Sequence, residues 1–306
     1  MEKLIRYCMS ALALSLCISC ESQNKYADAK DGKSLLWEIS GNGLQKPSYV
    51  FGTMHLLCAD DAVLSNNLKK ITSSADEIFF EIDLDNLSEL MSGMTHGKMR
   101  NDTTLQELYT HEEYTRIANF FVQHGMGMQF KMLSSFQPML VSALVYQAIM
   151  PCEADGMEMN IMKEAHKDNK EIKGLETAAF QASLLDEIPY KTQAQDLLSS
   201  VDSIEEAKVE NEKMLQLYKE QDIDKLLAYT IKEDATINDV QEIMINNRNK
   251  NWADQFQTIT KNKSILIAVG AGHLAGEKGF LNLLKQKGYT IRAIDNTGIS
   301  SEEAMK

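Results

Sequence analysis

Two short segments near opposite ends of the chain share one pattern, in which an apolar strand runs directly into Gly-x-x-His. The first segment reads YVFGTMH and ends at His55, and the second reads ILIAVGAGH and ends at His273. In open α/β sheets, ligands bind beyond the carboxyl ends of the strands. A glycine before the polar residue, here Gly52 or Gly270, lets the backbone turn sharply and lets a ligand approach closely. The pattern therefore predicts one paired site.

The amino terminus has the features of an export signal. Lys3 and Arg6 precede an apolar run that is too short to span a bilayer as a lasting helix. The run closes on Ser19-Cys20, which resembles the site at which bacterial lipoprotein signals are cut and acylated. We therefore predict a signal peptide over residues 1–19 and a lipid on Cys20, which would anchor the protein in the bacterial cell envelope, facing the periplasm or the surface. Ordinary secretion is the alternative.

The rest of the chain has the composition of a globular protein. Residues 20–33 are polar and lack apolar periodicity, which predicts a tether, and residues 34–306 are predicted to form one domain. The hydrophobic fraction of 44% is enough for a sizeable core, and no second apolar stretch could cross a membrane. The formal net charge of −13 repels phosphate backbones, so we expect no nucleic-acid partner. The sequence carries no signal for an oligomeric state.

The cysteine count predicts at most one disulfide. Two cysteines leave with the signal peptide and Cys20 takes the lipid, so that Cys58 and Cys152 remain. Two leftover cysteines in an oxidising envelope compartment often pair, which makes a disulfide the expected state. Two free buried thiols, or a metal-binding role for Cys58, are the alternatives.

Apolar and β-branched runs near both ends of the chain predict strands, whereas the stretch from residue 87 to 229 is nearly all helical in pattern. The predicted fold class is α/β with an α+β-like character. It has one mixed β-sheet built from both ends of the chain and a large helical insertion. The predicted strands cover residues 35–39, 48–51, 77–82, 171–175, 265–269 and 289–294.

Methionines are frequent in the helical stretch. Six of the 17 methionines are bunched at Met91, Met94, Met99, Met126, Met128 and Met132. Methionine fills irregular gaps in helical cores, so core packing is the expected role. An adaptable peptide-binding surface is the alternative.

Glu81 is a third candidate for the paired site. It lies in the predicted strand EIFFEID, among aromatic residues, where a carboxylate is costly unless it has a partner. Burial would raise its pKa and suit it to proton transfer, whereas a nearby cation or metal would keep it ionised. With His55 and His273 it could form a two-His-one-carboxylate metal site. Without metal, a histidine oriented by the glutamate could take a proton from water.

The second histidine motif also resembles a dinucleotide fingerprint. Residues 270–275 match G-x-G-x-x-A between a strand and a helix, and Asp295 follows the next strand. Only eleven residues remain after Asp295, which leaves no room for the rest of a cofactor domain. The pattern also leaves His55 and Glu81 unexplained, so we expect no nucleotide cofactor.

The ordered motifs of the whole chain are similar to those of the TraB/GumN family. They are SYVFGTMH, FEID, KGLET with Gln181, NRN and VGAGHL. This family includes the Tiki metalloproteases and is related to the erythromycin-esterase-like and ChaN-like proteins. The resemblance implies an active site of His55, Glu81 and His273. One departure is Glu158, where relatives often carry aspartate.

The resemblance also implies supporting roles for Gly52, Gly270, Glu176 and Arg248. For Glu176 the alternative is an acid that favours a helix amino terminus, and for Arg248 it is a structural ion pair. The expected function is metal-dependent, peptidase-like hydrolysis of a peptide or small acyl substrate, with Mn, Co or Zn held by the His/Glu/His set. The alternative is a non-catalytic protein that binds or sequesters a peptide, since bacterial relatives are tied to peptide-pheromone shutdown.

Overall fold

The computed structural model describes residues 25–152, 154–233 and 240–298. The predicted signal peptide and Cys20 lie outside these residues. No helix in the described ranges combines the length and the apolar character needed to cross a membrane.

Six strands form one mixed sheet whose members come from both ends of the chain. From edge to edge the order is β6–β4–β7–β2–β1–β8, where the strands are β1 (Leu36–Gly41), β2 (Ser48–Thr53), β4 (Glu77–Phe80), β6 (Glu171–Gly174), β7 (Ile265–Gly270) and β8 (Tyr289–Ala293). β6, β4, β7 and β2 run parallel, whereas β1 pairs antiparallel with both β2 and β8. β3 (Leu57–Cys58) and β5 (Ala154–Asp155) form a separate antiparallel pair. The predicted α/β class and mixed sheet are confirmed.

The central strands are buried along nearly their whole length and are mostly apolar. Every residue of β2 and β4 is buried, and β7 is buried from Ile265 to Val269. Strands that read as continuous apolar runs, without alternation of polar and apolar residues, are typical of a parallel sheet covered on both faces. The covering explains why the polar residues of interest stand beyond the strand ends.

Thirteen helices surround and extend the sheet in the described ranges. They are α1 (Asn66–Ser74), α2 (Leu87–His96), α3 (Leu105–Leu108), α4 (His111–Gln123), α5 (Gly127–Met132), α6 (Pro138–Ile149), α7 (Met157–Lys167), α8 (Ala178–Leu184), α9 (Tyr190–Asp202), α10 (Ile204–Lys219), α11 (Ile223–Glu233), α12 (Asn247–Ile259) and α13 (Phe280–Gln286). A π-helical turn, Glu242–Asn246, leads into α12.

The buried apolar residues form two clusters. The larger one contains the sheet and the helices packed against it, with Phe51, Trp252 and Phe256 among its largest side chains. The smaller one lies within the helical insertion and contains Phe121 and Phe130, whose rings stack at 4.8 Å. The insertion therefore has a core of its own.

The fold begins earlier than the sequence analysis predicted. Part of the expected tether packs against the sheet, because Tyr26 is buried and its ring meets that of Tyr49 at 5.8 Å. Asp28 forms a β-bridge with Ile294 and an ion pair with Arg292. A single aromatic residue in a polar stretch gives no periodic signal, which is why the contact was missed.

The methionine prediction was largely wrong. Met91, Met94, Met128 and Met132 are each more than half exposed, whereas Met99 is buried. Helical periodicity shows which residues share a face, but it does not show whether another element covers that face.

Candidate active site

The carboxyl ends of four parallel strands place polar residues along one edge of the sheet. Thr53 of β2 lies opposite Gly270 of β7, and Phe80 of β4 lies opposite both Ala268 of β7 and Gly174 of β6. His55, His273, Glu81 and Glu176 each follow one of these strand ends within three residues. The register therefore brings both histidine motifs and both glutamates to the same edge.

Three predicted residues surround one point beside Gly270. A Cβ atom placed on Gly270 would lie 3.4 Å from Oε1 of Glu81, 3.6 Å from Cδ2 of His273 and 4.0 Å from Nε2 of His55. Nε2 of His273 lies 3.7 Å from Oε1 of Glu81. These distances show that Glu81, His273 and His55 lie around the side of Gly270 from which the side chain is missing.

The two motif glycines have different roles. Gly52 packs against the other motif, since a Cβ atom there would lie 2.8 Å from Cδ1 of Leu274 and 3.1 Å from Cα of Ala271. At Gly270 the missing side chain leaves space inside the site. Gly52 therefore allows the two motifs to approach, whereas Gly270 allows a ligand to approach.

His55 is paired with Glu158, at the start of α7. Nδ1 of His55 lies 2.6 Å from Oε1 of Glu158. This close contact is the main reason why the pKa of His55 is raised to about 9. Burial acts to raise the pKa of Glu158, but the His55 contact lowers it below its ordinary value. The pairing leaves Nε2 of His55 directed toward the site.

A disulfide holds this pair in place. Cys58 in β3 and Cys152, just before β5, are bonded, with their Cα atoms 5.5 Å apart. The predicted disulfide is therefore present in the structure. β3 follows His55 and β5 precedes Glu158, so the bridge and the β3–β5 ladder fasten together the segments that carry the two partners.

Glu81 is ionised, and both of its carboxylate oxygens accept hydrogen bonds. Its Oε2 accepts from Arg248 at 2.6 Å and from Gln181 at 3.0 Å, and its Oε1 accepts from the Gly270 backbone N–H at 2.9 Å. Burial alone would raise its pKa, but the charges of His273, Arg248 and His55 lower the pKa to about 2. The alternative of a carboxyl group with a raised pKa is thus wrong, because a cation lies beside it.

Arg248 fixes the buried side of the site. It is 4% exposed, and its Nε donates to Oε1 of Glu176 at 2.8 Å while Nη1 donates to the Met244 carbonyl at 2.8 Å. Its guanidinium carbon lies 4.9 Å from the centre of the Trp252 ring. Glu176 therefore contacts Arg248 instead of capping α8, whose amino terminus is capped by the side chain of Thr177. Burial raises the pKa of Glu176 despite Arg248.

The hydrogen bonds around His273 define its tautomer. The amide nitrogen of Asn249 donates to the carbonyls of His273 and Lys278, so its Oδ1 must accept the proton on Nδ1 of His273, 2.7 Å away. Nε2 then carries a lone pair and faces Nη1 of Arg248 at 3.3 Å. Burial is the main cause of a pKa lowered to about 4, which keeps His273 neutral at physiological pH.

The observed contacts do not fit the predicted metal site. A shared ion would need the lone pairs of His273 Nε2 and Glu81, but the Arg248 guanidinium contacts both groups. A fixed positive charge at these atoms disfavours a divalent cation there. In the described part of the chain, no group of three His, Cys, Asp or Glu side chains is arranged to hold a metal.

A cavity of about 310 Å³ opens onto the candidate site. Its wall contains His55, Glu81, Glu158 and Gln181, together with apolar residues such as Phe80. His55 is the accessible member, with 68% of its side chain exposed, whereas His273 is 4% exposed. A substrate entering the cavity would therefore meet His55 and Glu81 first.

Comparison with known proteins identifies the family. The model of the TraB/PrgY/gumN family matches residues 35–293. The chain belongs to this family. The match includes every site residue described above and both bonded cysteines. No curated protein and no solved structure matches this chain.

Three members of this site were not predicted from the sequence. Glu158 was noted only as a departure from aspartate, and Gln181 and Asn249 were given no role. Two features of the sequence could have indicated them. Glu158 lies two residues after Gly156 at the start of a helix, and Asn249 is adjacent to Arg248. Neither signal names a partner, because the partners are contributed by distant segments.

Proposed function

We propose that the protein hydrolyses an acyl bond, an ester or an amide, with a water molecule activated by His55. The observation that supports this most directly is the contact of His55 Nδ1 with Glu158 at 2.6 Å. Because Glu158 holds the proton on Nδ1, the neutral ring presents the lone pair of Nε2 to the space beside Gly270. A histidine oriented by a carboxylate in this way is suited to general-base catalysis.

In the proposed reaction, His55 first accepts a proton from water and then gives it to the leaving group. Nε2 of His55 takes a proton from water while the water oxygen attacks the carbonyl carbon of the substrate. Glu158 stabilises the imidazolium that forms, in the same way that it raises the pKa of His55. The bond to the leaving group then breaks, and the leaving oxygen or nitrogen takes the proton from Nε2. The products are a carboxylic acid and an alcohol or amine.

Glu81 has a positioning role in this proposal. Its Oε1 faces the same space as His55 Nε2 and can accept a hydrogen bond from the attacking water. With a pKa of about 2 it is too weak a base to remove the proton itself. Arg248, Gln181 and the Gly270 N–H hold the carboxylate in this orientation.

The test is turnover by the full-length protein on 4-nitrophenyl acetate and on a peptide library read by mass spectrometry. His55→Ala should lower kcat/KM by about 10²- to 10⁴-fold, the usual contribution of a general base. His166→Ala is the matched control, since His166 also contacts a carboxylate, Asp85, at 3.2 Å but lies outside the site. Since no step depends on metal, dialysis against a chelator should leave turnover unchanged.

The competing function is peptide sequestration without turnover. In that case the protein would bind a peptide from the library and release it uncut. His55→Ala would then change only the affinity for that peptide. Loss of turnover on chelation with recovery on adding Mn, Co or Zn would instead support the metal-dependent mechanism that the sequence suggested.

A further inference from the structure

A second cavity, of about 480 Å³, adjoins the site cavity. The two share Ile82 and Gln181 in their walls. The second cavity lies among α2, α6 and α8, and Met244 of the π-helical turn completes it. The carbonyl of Met244 accepts from Arg248, so this turn contacts the polar cluster and the second cavity together.

The chemistry of this wall is almost wholly apolar. It is formed by leucine, isoleucine, phenylalanine, alanine and glycine residues and by Met94, Met139 and Met244. Gln181 is its one polar side chain, and the Gln181 amide nitrogen already donates to Glu81 and Glu176. The methionines can adapt to an occupant of irregular shape, because their side chains are flexible and polarizable.

We propose that this second cavity, named the chain cavity here, holds the hydrocarbon chain of an acyl substrate whose carbonyl group lies beside His55. A peptide segment would fit less well. Each of its residues brings a backbone N–H and C=O that need partners when buried, and the wall offers almost none. A hydrocarbon chain needs no such partner and is favoured by burial.

The position of the chain cavity fits this substrate. It begins at Gln181, whose amide donates to Glu81, so a chain lying in it would continue directly from a carbonyl group in the site. Met94 and Leu140 line it and are 53% and 37% exposed, so this part of its wall is open to solvent and a chain could enter from there. The substrate class follows as a medium-chain or long-chain acyl ester or amide.

This inference takes its chemistry from the proposed hydrolysis, but its binding part can be tested separately. The first measurement is kcat/KM of the full-length protein for 4-nitrophenyl esters from acetate to decanoate. Each added methylene should raise kcat/KM by about fourfold until the chain cavity is filled. Met94→Glu, which puts a charge in the wall, should abolish this increase and leave the rate on acetate unchanged.

Met91→Glu is the matched control. Met91 lies in the same helix and is 54% exposed, against 53% for Met94, but it does not line the chain cavity. This variant should keep the wild-type dependence on chain length. Because both methionines are exposed, neither charge should disturb the fold.

The second measurement is binding of cis-parinaric acid, a fluorescent fatty acid, to the His55→Ala protein. Binding that Met94→Glu weakens at least tenfold and Met91→Glu does not would support the chain cavity, even if no ester were hydrolysed and the proposed function failed. Hydrolysis with no dependence on chain length, or fatty-acid binding unchanged by Met94→Glu, would overturn the inference and leave the hydrolase proposal standing.

Discussion

At the scale of single residues, the site depends on how its charges are paired. His55 and Glu158 form one pair, and Arg248 with Glu81 and Glu176 forms a second, buried cluster. The first pair is accessible and can exchange a proton, whereas the second is fixed. The missing side chain of Gly270 leaves the space between them.

Gly270→Ala tests whether that space is where the reaction occurs. The added methyl group would have ordinary contact distances, 3.4 Å at the shortest, and Gly270 has a negative φ, so the free energy of unfolding should hardly change. The methyl group would nevertheless narrow the space between Glu81 and His55 in which the proposed water would lie. We expect kcat/KM to fall by about 100-fold or more, with a normal urea unfolding curve.

Gly272→Ala is the control for this substitution. Gly272 belongs to the same motif, and a Cβ atom there would meet nothing within 4 Å. Its activity should equal that of the wild type. Full activity of Gly270→Ala would show that the space beside Gly270 is not used.

At the scale of elements, the site joins strands of the sheet to the helical insertion. The segments that follow β2 and β7 supply the histidines, while α7 supplies Glu158 and α8 supplies Gln181. The disulfide is the covalent link between the His55 segment and the start of α7. It therefore bears on the geometry of the His55–Glu158 pair as well as on stability.

Removing the disulfide should lower the stability of the protein and disturb the geometry of the His55–Glu158 pair. The bridge joins residues 94 positions apart, and a loop of that length corresponds to about 4.6 kcal/mol of unfolding free energy in the chain-entropy account. We expect Cys58→Ser/Cys152→Ser to lose about that much in urea unfolding and to lose activity under conditions where it stays folded. Reduced wild-type protein should behave in the same way. Equal stability of the oxidised and reduced wild type would contradict the prediction.

Sequence reasoning could predict the sheet and the meeting of its strand ends, but not the contacts contributed by the helices. The apolar runs before His55 and His273 identify buried parallel strands, and neighbouring parallel strands end at one edge. Glu158 and Arg248 lie on helices, and their direction depends on how those helices dock. For that reason the sequence suggested a metal beside Glu81, where the structure has a guanidinium group.

At the scale of the whole molecule, the protein combines a mixed sheet with a helical insertion that has its own core. The second cluster, around Phe121 and Phe130, includes residues of α6, which lines the chain cavity together with α2 and α8. Binary patterning predicted helices there, but it could not predict which faces line a cavity. For the same reason, the exposed methionines were wrongly predicted to lie in the core.

We propose that the molecule is anchored in the cell envelope by a lipid on Cys20. Cys20→Ser should release the protein from membranes and abolish labelling by a fatty-acid analogue, since it removes the proposed site of the lipid. Fractionation of cells with metabolic labelling would check this. Absence of label on the wild type, with the same partition for both proteins, would contradict it.

The central claim is that His55, oriented by Glu158, acts as the base, and the pH dependence of kcat/KM tests it most directly. His55 must lose its proton to act, so kcat/KM of the wild type should rise with pH and level off above about 9. Glu158→Gln removes the carboxylate that raises this pKa, so the midpoint should move down toward the ordinary histidine value of about 6.5, with a lower plateau. Glu112→Gln, an exposed substitution in α4, should leave the midpoint unchanged. A wild-type profile that falls through pH 9, or a midpoint that Glu158→Gln does not move, would contradict the account.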